Sequence, residues 1–304
     1  ASLRPNNDFR GPAGPPKRPK RLEIGTLLQT ILQVLASAAC IYGAVIAAMY
    51  LGQRAMMYPA GSDAGTPAEA GLPRARAVRV DTADGLTLLS WYLAPDAARP
   101  VVLYFHGNAG TVADRAFKAR LFAGQGLGVM LAEYRGYGGN PGAPTETGLY
   151  ADARANLAWL TAAGHAPGEI VIYGESLGSG VAVQMAHELA RAGTPARGLV
   201  LEAPFTSMAD AAGFHYPWVP THFLIRDRYD SQAKIVAVET PVLIVQGTGD
   251  RVVPLAQGRR LLELAREPKR GVWLSGAGHA DVYDFGAGGA VLDFIGGLPG
   301  PRGG

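Results

Sequence analysis

Beyond residue 54 the chain alternates between short, continuous apolar runs and longer stretches whose apolar residues recur at helical spacing. The runs are Val101–Phe105, Val129–Glu133, Ile170–Tyr173, Leu199–Glu202, Val242–Gln246 and Val272–Leu274. Thr111–Ala123, Thr145–Ala163, Ser179–Ala192 and Leu255–Glu267 carry the periodicity of amphipathic helices. Apolar strands alternating with helices predict an α/β fold: a mostly parallel sheet with helices on both faces. Val78–Leu93 is broken by Ala83-Asp84-Gly85, an Asp-Gly turn signal, and predicts an antiparallel hairpin at the sheet edge.

The first 53 residues follow a different pattern. From Ile24 to Gln53 there is no charged residue. As a helix this stretch reaches about 45 Å, against about 30 Å for a bilayer core. Residues 24–53 therefore read as a transmembrane signal anchor, preceded by a basic, Pro/Gly-rich tail (1–23) expected to be disordered. Ala36-Ser37-Ala38 resembles a signal-peptidase site, but the apolar run continues through Ile41, Val45 and Ile46, which favours an uncleaved anchor. A lipoprotein site at Cys40 lacks the polar linker that would follow it. The Lys/Arg cluster before the span predicts a cytoplasmic N-terminus and an extracytoplasmic domain over 54–304, periplasmic if the cell is bacterial.

Charge and composition narrow the function. The tail holds six Lys/Arg against Asp8 and Glu23, whereas the whole chain is only +3. The rest is nearly neutral, so the domain offers no electrostatic basis for nucleic-acid binding. One cysteine excludes a disulfide framework, and no metal-ligand cluster or cofactor motif is present, so no cofactor is expected. The strands lack a following G-x-G-x-x-G, and there is no phosphate-binding G-x-x-x-x-G-K-[ST].

Gly174-Glu175-Ser176-Leu177-Gly178 fits G-x-S-x-G between a strand and a helix, where a nucleophilic serine sits on a tight turn. A serine hydroxyl needs a base. Among six histidines, His279 in Gly276-Ala277-Gly278-His279 directly follows the last apolar strand. Asp250, in the turn after Val242–Gln246, supplies the acid that orients the base; Glu202 is the second candidate. The order Ser176, Asp250, His279 matches Ser…Asp…His and neither protease order. Backbone N–H groups of Leu177 and Asn108 are the expected oxyanion donors, with Ala109 in reserve and His106 shaping the turn. Residues 205–240 form a small cap or a crossover insert. Tyr134, Phe205, Phe214 and Trp218 are candidate substrate contacts, although a purely structural role for the Tyr134-Arg135-Gly136 turn and for the insert's aromatics is equally compatible with the pattern.

Together with Glu133-Tyr134-Arg135-Gly136-Tyr137-Gly138, Pro204-Phe205-Thr206-Ser207, Arg226-Asp227-Arg228-Tyr229-Asp230-Ser231 and Gln53-Arg54-Ala55-Met56-Met57-Tyr58-Pro59, these motifs resemble the α/β-hydrolase superfamily. They are most similar to its small membrane-anchored branch, which includes eukaryotic depalmitoylating thioesterases and uncharacterised bacterial members. The resemblance spans about residues 50–297 and implies a cofactor-independent serine hydrolase acting on acyl esters or thioesters of lipid-like or small-molecule substrates. It does not carry a substrate across. Depalmitoylating members act from the cytosolic face, opposite to the side that this anchor predicts. A peptidase or amidase on the same triad, and a non-catalytic binding protein that keeps the fold, are the alternatives. A dehalogenase is disfavoured because the elbow presents Ser. Oligomeric state is not legible.

Overall fold

The computed structural model describes residues 11, 14, 24–61, 63–96 and 99–300. The tail's expected disorder falls almost wholly outside the described residues. Residues up to Met49 form one compact unit and Tyr50–Gly304 a second. The helix α1 (Ile24–Met57) runs four residues past the anchor expected from sequence, through Arg54. It is long and apolar enough to cross a bilayer, and none of its residues is buried.

In the second unit eight strands form one sheet in the order β1-β2-β4-β3-β5-β6-β7-β8. They are β1 (Arg76–Asp81), β2 (Thr87–Leu93), β3 (Val101–Phe105), β4 (Gly128–Ala132), β5 (Ile170–Glu175), β6 (Gly198–Glu202), β7 (Val242–Gly247) and β8 (Lys269–Leu274). Only β2 runs against the others. This is the α/β-hydrolase arrangement expected from the motifs. Five of the six continuous apolar runs are strands buried on both faces, and every residue of β3, β4, β6 and β7 is buried; the sixth run, in the edge strand β8, is only partly buried. The hairpin turns at Gly85 (φ +89°), a conformation that favours glycine.

Two apolar layers cover the sheet. On one face Leu103, Ile172, Leu201 and Ile244 pack with α3 (Glu146–Ala162), α4 (Leu177–Arg191) and α8 (Leu255–Leu264). On the other, Tyr104, Tyr173, Val200 and Val245 pack with α2 (Ala116–Ala123) and α9 (Ala287–Gly297). In the sequence Asp281 and Asp284 read as helix-start residues, and the helix that follows them, α9, begins at Ala287. Its glycines lower helix propensity, yet Val291 and Ile295, one turn apart, are buried in the second layer, so tertiary packing decides. The 205–240 insert divides into α5 (Met208–His215), α6 (Thr221–Leu224) and α7 (Ser231–Ile235). Ile235 and Val238 are buried in the core as in a crossover, while α5 and α6 leave Phe214, Trp218 and Phe223 exposed.

The β5–α4 junction requires extreme backbone proximity. A Cβ on Gly178 would overlap the Phe105 carbonyl oxygen, and one on Gly174 would overlap the Gly178 carbonyl oxygen. Neither obstacle is a flexible side chain. Gly178→Ala is therefore expected to destabilise by about 1–3 kcal/mol or more. Thermal melting of the detergent-solubilised chain should show a Tm about 5 °C lower. Gly168→Ala, which meets nothing within 4 Å, should melt with wild type.

Candidate active site

Ser176 sits between β5 and α4 at φ 50°, ψ −114°, a strained conformation for a residue with a side chain. The backbone is over-determined there: Ser176 N–H donates to the Glu202 carbonyl at 2.9 Å, and Ser179 N–H to the Ser176 carbonyl at 2.8 Å. The flanking glycines let the turn close, and the hydroxyl is thereby held off both regular elements.

His279 arrives on the loop after β8. Gly247 lets that loop come close, since a Cβ there would overlap the Ala277 carbonyl; Gly249 N–H donates to the same carbonyl at 2.8 Å. Asp281 Oδ1 accepts from Gly278 N–H at 2.6 Å. The imidazole Nε2 lies 2.9 Å from Ser176 Oγ and Nδ1 lies 2.8 Å from Asp250 Oδ2. A carboxylate partner requires Nδ1 to carry the proton, which leaves Nε2 able to accept from the serine hydroxyl.

Asp250 is fixed by more than the histidine. Its Oδ1 accepts from Val252 and Val253 N–H at 2.8 and 2.9 Å, and its Oδ2 from Gln246 Nε2 at 3.2 Å. Burial pushes this carboxyl up, but the hydrogen bond and charge of His279 and the two backbone donors outweigh it and hold Asp250 below the usual carboxylate range.

The loop after β3 is built around a buried histidine. His106 Nε2 pairs with Glu133 Oε1 at 2.7 Å, and Glu133 Oε2 accepts from Val112 N–H at 3.0 Å. Tyr134 donates its hydroxyl to the His106 carbonyl (3.0 Å), and Tyr137 donates to the Asn108 carbonyl (2.9 Å). Among the described residues, neither Leu177 N–H nor Asn108 N–H has a hydrogen-bond acceptor. Leu177 opens α4, so its N–H belongs to the unsatisfied first turn.

Two expected substrate contacts are corrected. Tyr134 is fully buried, its hydroxyl spent on the His106 carbonyl. Phe205 is also buried, packed beneath α4 where a Cβ on Gly180 would touch it. Both support the site from within the core. Phe214 and Trp218 are half exposed on the α5–α6 segment. Arg135 binds Asp152 and Asp84, tying α3 to the hairpin turn. Glu202 does not reach His279; its carboxylate lies within a buried cluster on the far side of the elbow.

That cluster was not anticipated. Glu175 and Glu202 are register partners at the ends of β5 and β6. Lys118 Nζ reaches Glu175 Oε2 at 2.9 Å and Glu202 Oε2 at 2.7 Å, and donates to Tyr104 Oη at 2.8 Å. Tyr104 donates to Glu175 and Tyr173 to Glu202. Arg115 holds Glu175 Oε1 at 2.6 Å and the Ala109 carbonyl at 2.9 Å, joining the elbow to the β3 loop. Burial pushes the Glu175 carboxyl up, but the charges of Lys118 and Arg115, with hydrogen bonds from Arg115 and Tyr104, bring it well below the ordinary range. Burial, then carboxylate charge, holds the Tyr104 and Tyr173 phenols far above theirs, so both donate. The signal was present: a lysine among the buried positions Ala116, Ala119 and Phe122 of α2, and acids ending two adjacent strands. Among the described residues, no group of three or more His, Cys, Asp or Glu is arranged to hold a metal.

Comparison with known proteins agrees with this architecture. An uncharacterised protein of Mycobacterium tuberculosis is 42% identical over 253 residues, covering 82% of this chain and 88% of its own length. A family model described as serine aminopeptidase, S33, matches residues 96–226. The chain belongs to the α/β-hydrolase superfamily. The lysophosphatidylserine lipase ABHD12 of Danio rerio is 33% identical to this α/β-hydrolase over 195 residues, 59% of the chain, which spans about half (51%) of the lipase. The Pyrococcus furiosus esterase Pf2001 superposes with a TM-score of 0.63 at 17% identity, covering 79% of this chain and 97% of that one. That likeness is one of fold.

Removing the ammonium from the buried cluster of this α/β-hydrolase leaves two carboxylates against one guanidinium: Glu175 keeps Arg115, and Glu202 loses its cation. Lys118→Met is expected to cost about 3–5 kcal/mol at neutral pH. The wild-type contribution of Glu175, whose folded pKa is depressed, is fully present above its unfolded value of about 4.3 and fades as pH falls through the lower folded value. In the variant the excess negative charge left on the buried carboxylate pair is relieved by protonation, so the gap to wild type should narrow between pH 7.5 and pH 5. Urea unfolding at the two pH values measures it; a gap that widens at pH 5 would contradict the argument.

Proposed function

We propose that this chain is a membrane-anchored serine hydrolase that cleaves acyl esters or thioesters through an acyl-enzyme. Ser176 is the nucleophile, His279 the base and Asp250 the acid. The hydrogen-bonded chain from Ser176 Oγ through His279 to Asp250 carries the reading. His279 Nε2 takes the hydroxyl proton as Oγ attacks the acyl carbon, and Asp250 stabilises the imidazolium. The tetrahedral oxyanion is received by the N–H groups of Leu177 and Asn108, aided by the N-terminus of α4. His279 then protonates the leaving alkoxide or thiolate. Water, deprotonated by the same imidazole, attacks the acyl-enzyme and releases the acid, which restores Ser176.

Charge distribution supports an extracytoplasmic domain, with α1 as a single span and the basic residues before it on the cytoplasmic side. The ABHD12 relative's lipase name makes single-chain lipids, whose one acyl ester is adjacent to a polar headgroup, the first substrates to examine. A peptidase reading is favoured only by the description of the matched family model. The triad chemistry serves both leaving groups.

A fluorophosphonate probe applied to membranes tests the assignment. Wild-type protein is expected to label in the membrane fraction, while Ser176→Ala and His279→Ala should lose labelling to background. Persistent labelling of Ser176→Ala would exclude it as nucleophile. Purified enzyme should hydrolyse acyl esters faster than peptidyl arylamides; the reverse preference would establish the peptidase reading.

A further inference from the structure

Arg54 is the first charge after the apolar stretch, so Gln53 and Arg54 mark where α1 leaves the hydrocarbon. Both residues are bonded to the end of α6 or to the segment that follows it. Gln53 donates to the Leu224 carbonyl (3.3 Å) and accepts from Arg226 N–H (2.8 Å). Arg54 forms a two-bonded pair with the buried Asp227 at 2.7 and 3.0 Å. The Arg226 guanidinium lies 5.9 Å from the Tyr50 ring. Arg228 reaches back to the His222 carbonyl at 2.7 Å, holding α6 in place.

Phe223 is one residue from that junction, and 89% of its surface is exposed. Phe214 and Trp218 are also half exposed on the stretch that leads into α6. Aromatic side chains flanked by Arg226 and Arg228, beside the end of an apolar helix, have the composition of a bilayer interface. The segment also meets the site: the His215 ring donates through Nε2 to the Val252 carbonyl (2.8 Å), and Val252 N–H donates to Asp250.

We propose that α5 and α6 form a membrane-contact surface, with Phe223 seated in the leaflet where α1 emerges, so that acyl chains reach Ser176 from the lipid side. The proposal rests on α1 being an anchor. Leu224, Arg226 and Asp227 are bonded to the border residues of the apolar stretch, which sets Phe223 at the depth of the headgroups and upper acyl chains. A lipid-facing entrance also matches the acyl substrates assigned to the enzyme.

The test uses full-length protein with Cys40→Ala and one new cysteine, Phe223→Cys or, on the opposite end of the strands, Glu239→Cys. Each is labelled with bimane and reconstituted in vesicles of phosphatidylcholine and phosphatidylglycerol. A doxyl-labelled lipid should quench the label at 223 at least about twofold more than at 239, while aqueous iodide should show the reverse order. Equal iodide access at both positions overturns the proposal. Shielding from both quenchers assigns the patch to a protein partner or second copy and also overturns it. Carbonate extraction separates the readings: release from membranes defeats the anchor itself, whereas retention with a water-exposed label defeats only the contact surface. As a second arm, Phe223→Ser should lower kcat/KM about tenfold on a long-chain ester embedded in vesicles, in line with the loss of a buried aromatic. It should leave a water-soluble short-chain ester unchanged. An equal loss on both esters counts against a lipid-facing entrance.

Discussion

Two carboxylates end adjacent strands at Glu175 and Glu202, and side by side they repel unless a cation lies between them. Lys118 fills that position from α2, and the turn at Ser176 is joined to the same strand ends, following Glu175 directly and donating its N–H to the Glu202 carbonyl. The arrangement links three levels of the structure. A lysine is tolerated in the buried stripe of a helix because strand ends supply its counter-charges. The strand ends can hold both acids side by side because the lysine bridges them. The strained serine backbone then rests on a base that has no freedom to relax. Arg115 extends the same network to the loop after β3 through the Ala109 carbonyl.

Much of this fold was legible because its signals are local. Five of the interior strands were bounded to within two residues, since a strand buried on both faces leaves a continuous apolar run that helices do not interrupt. The edge strand β8 begins three residues before its apolar run, because one side faces solvent and polar residues are admitted there. The Asp84-Gly85 turn declared its hairpin for the same local reason. By contrast, α9 carries too many glycines for its extent to be read from its own sequence, and long-range burial of Val291 and Ile295 supports it as a helix.

Site residues divide along the same line. Ser176, Asp250 and His279 are each held by a turn whose sequence is distinctive, and the structure brings the three together. The side chains of Tyr134 and Phe205 followed no such rule. An aromatic beside a functional turn can face either the cleft or the core, and that direction is set by what packs behind it. Lys118 was missed for the complementary reason: a single charge within an amphipathic helix reads as a solvent-facing residue until its tertiary partners are known.

The buried cluster has one further property. Its formal charges, two carboxylates against one ammonium and one guanidinium, sum to zero. The volume beneath Ser176 therefore acts on the hydroxyl as a set of opposed dipoles instead of a monopole, and its field falls off steeply with distance. On the proposed mechanism, negative charge growing above the serine meets the end of α4 without a competing net charge below it. An exchange that breaks this neutrality would leave an unbalanced field close to the reacting atoms. Neutrality at this one place thus serves electrostatics as well as packing.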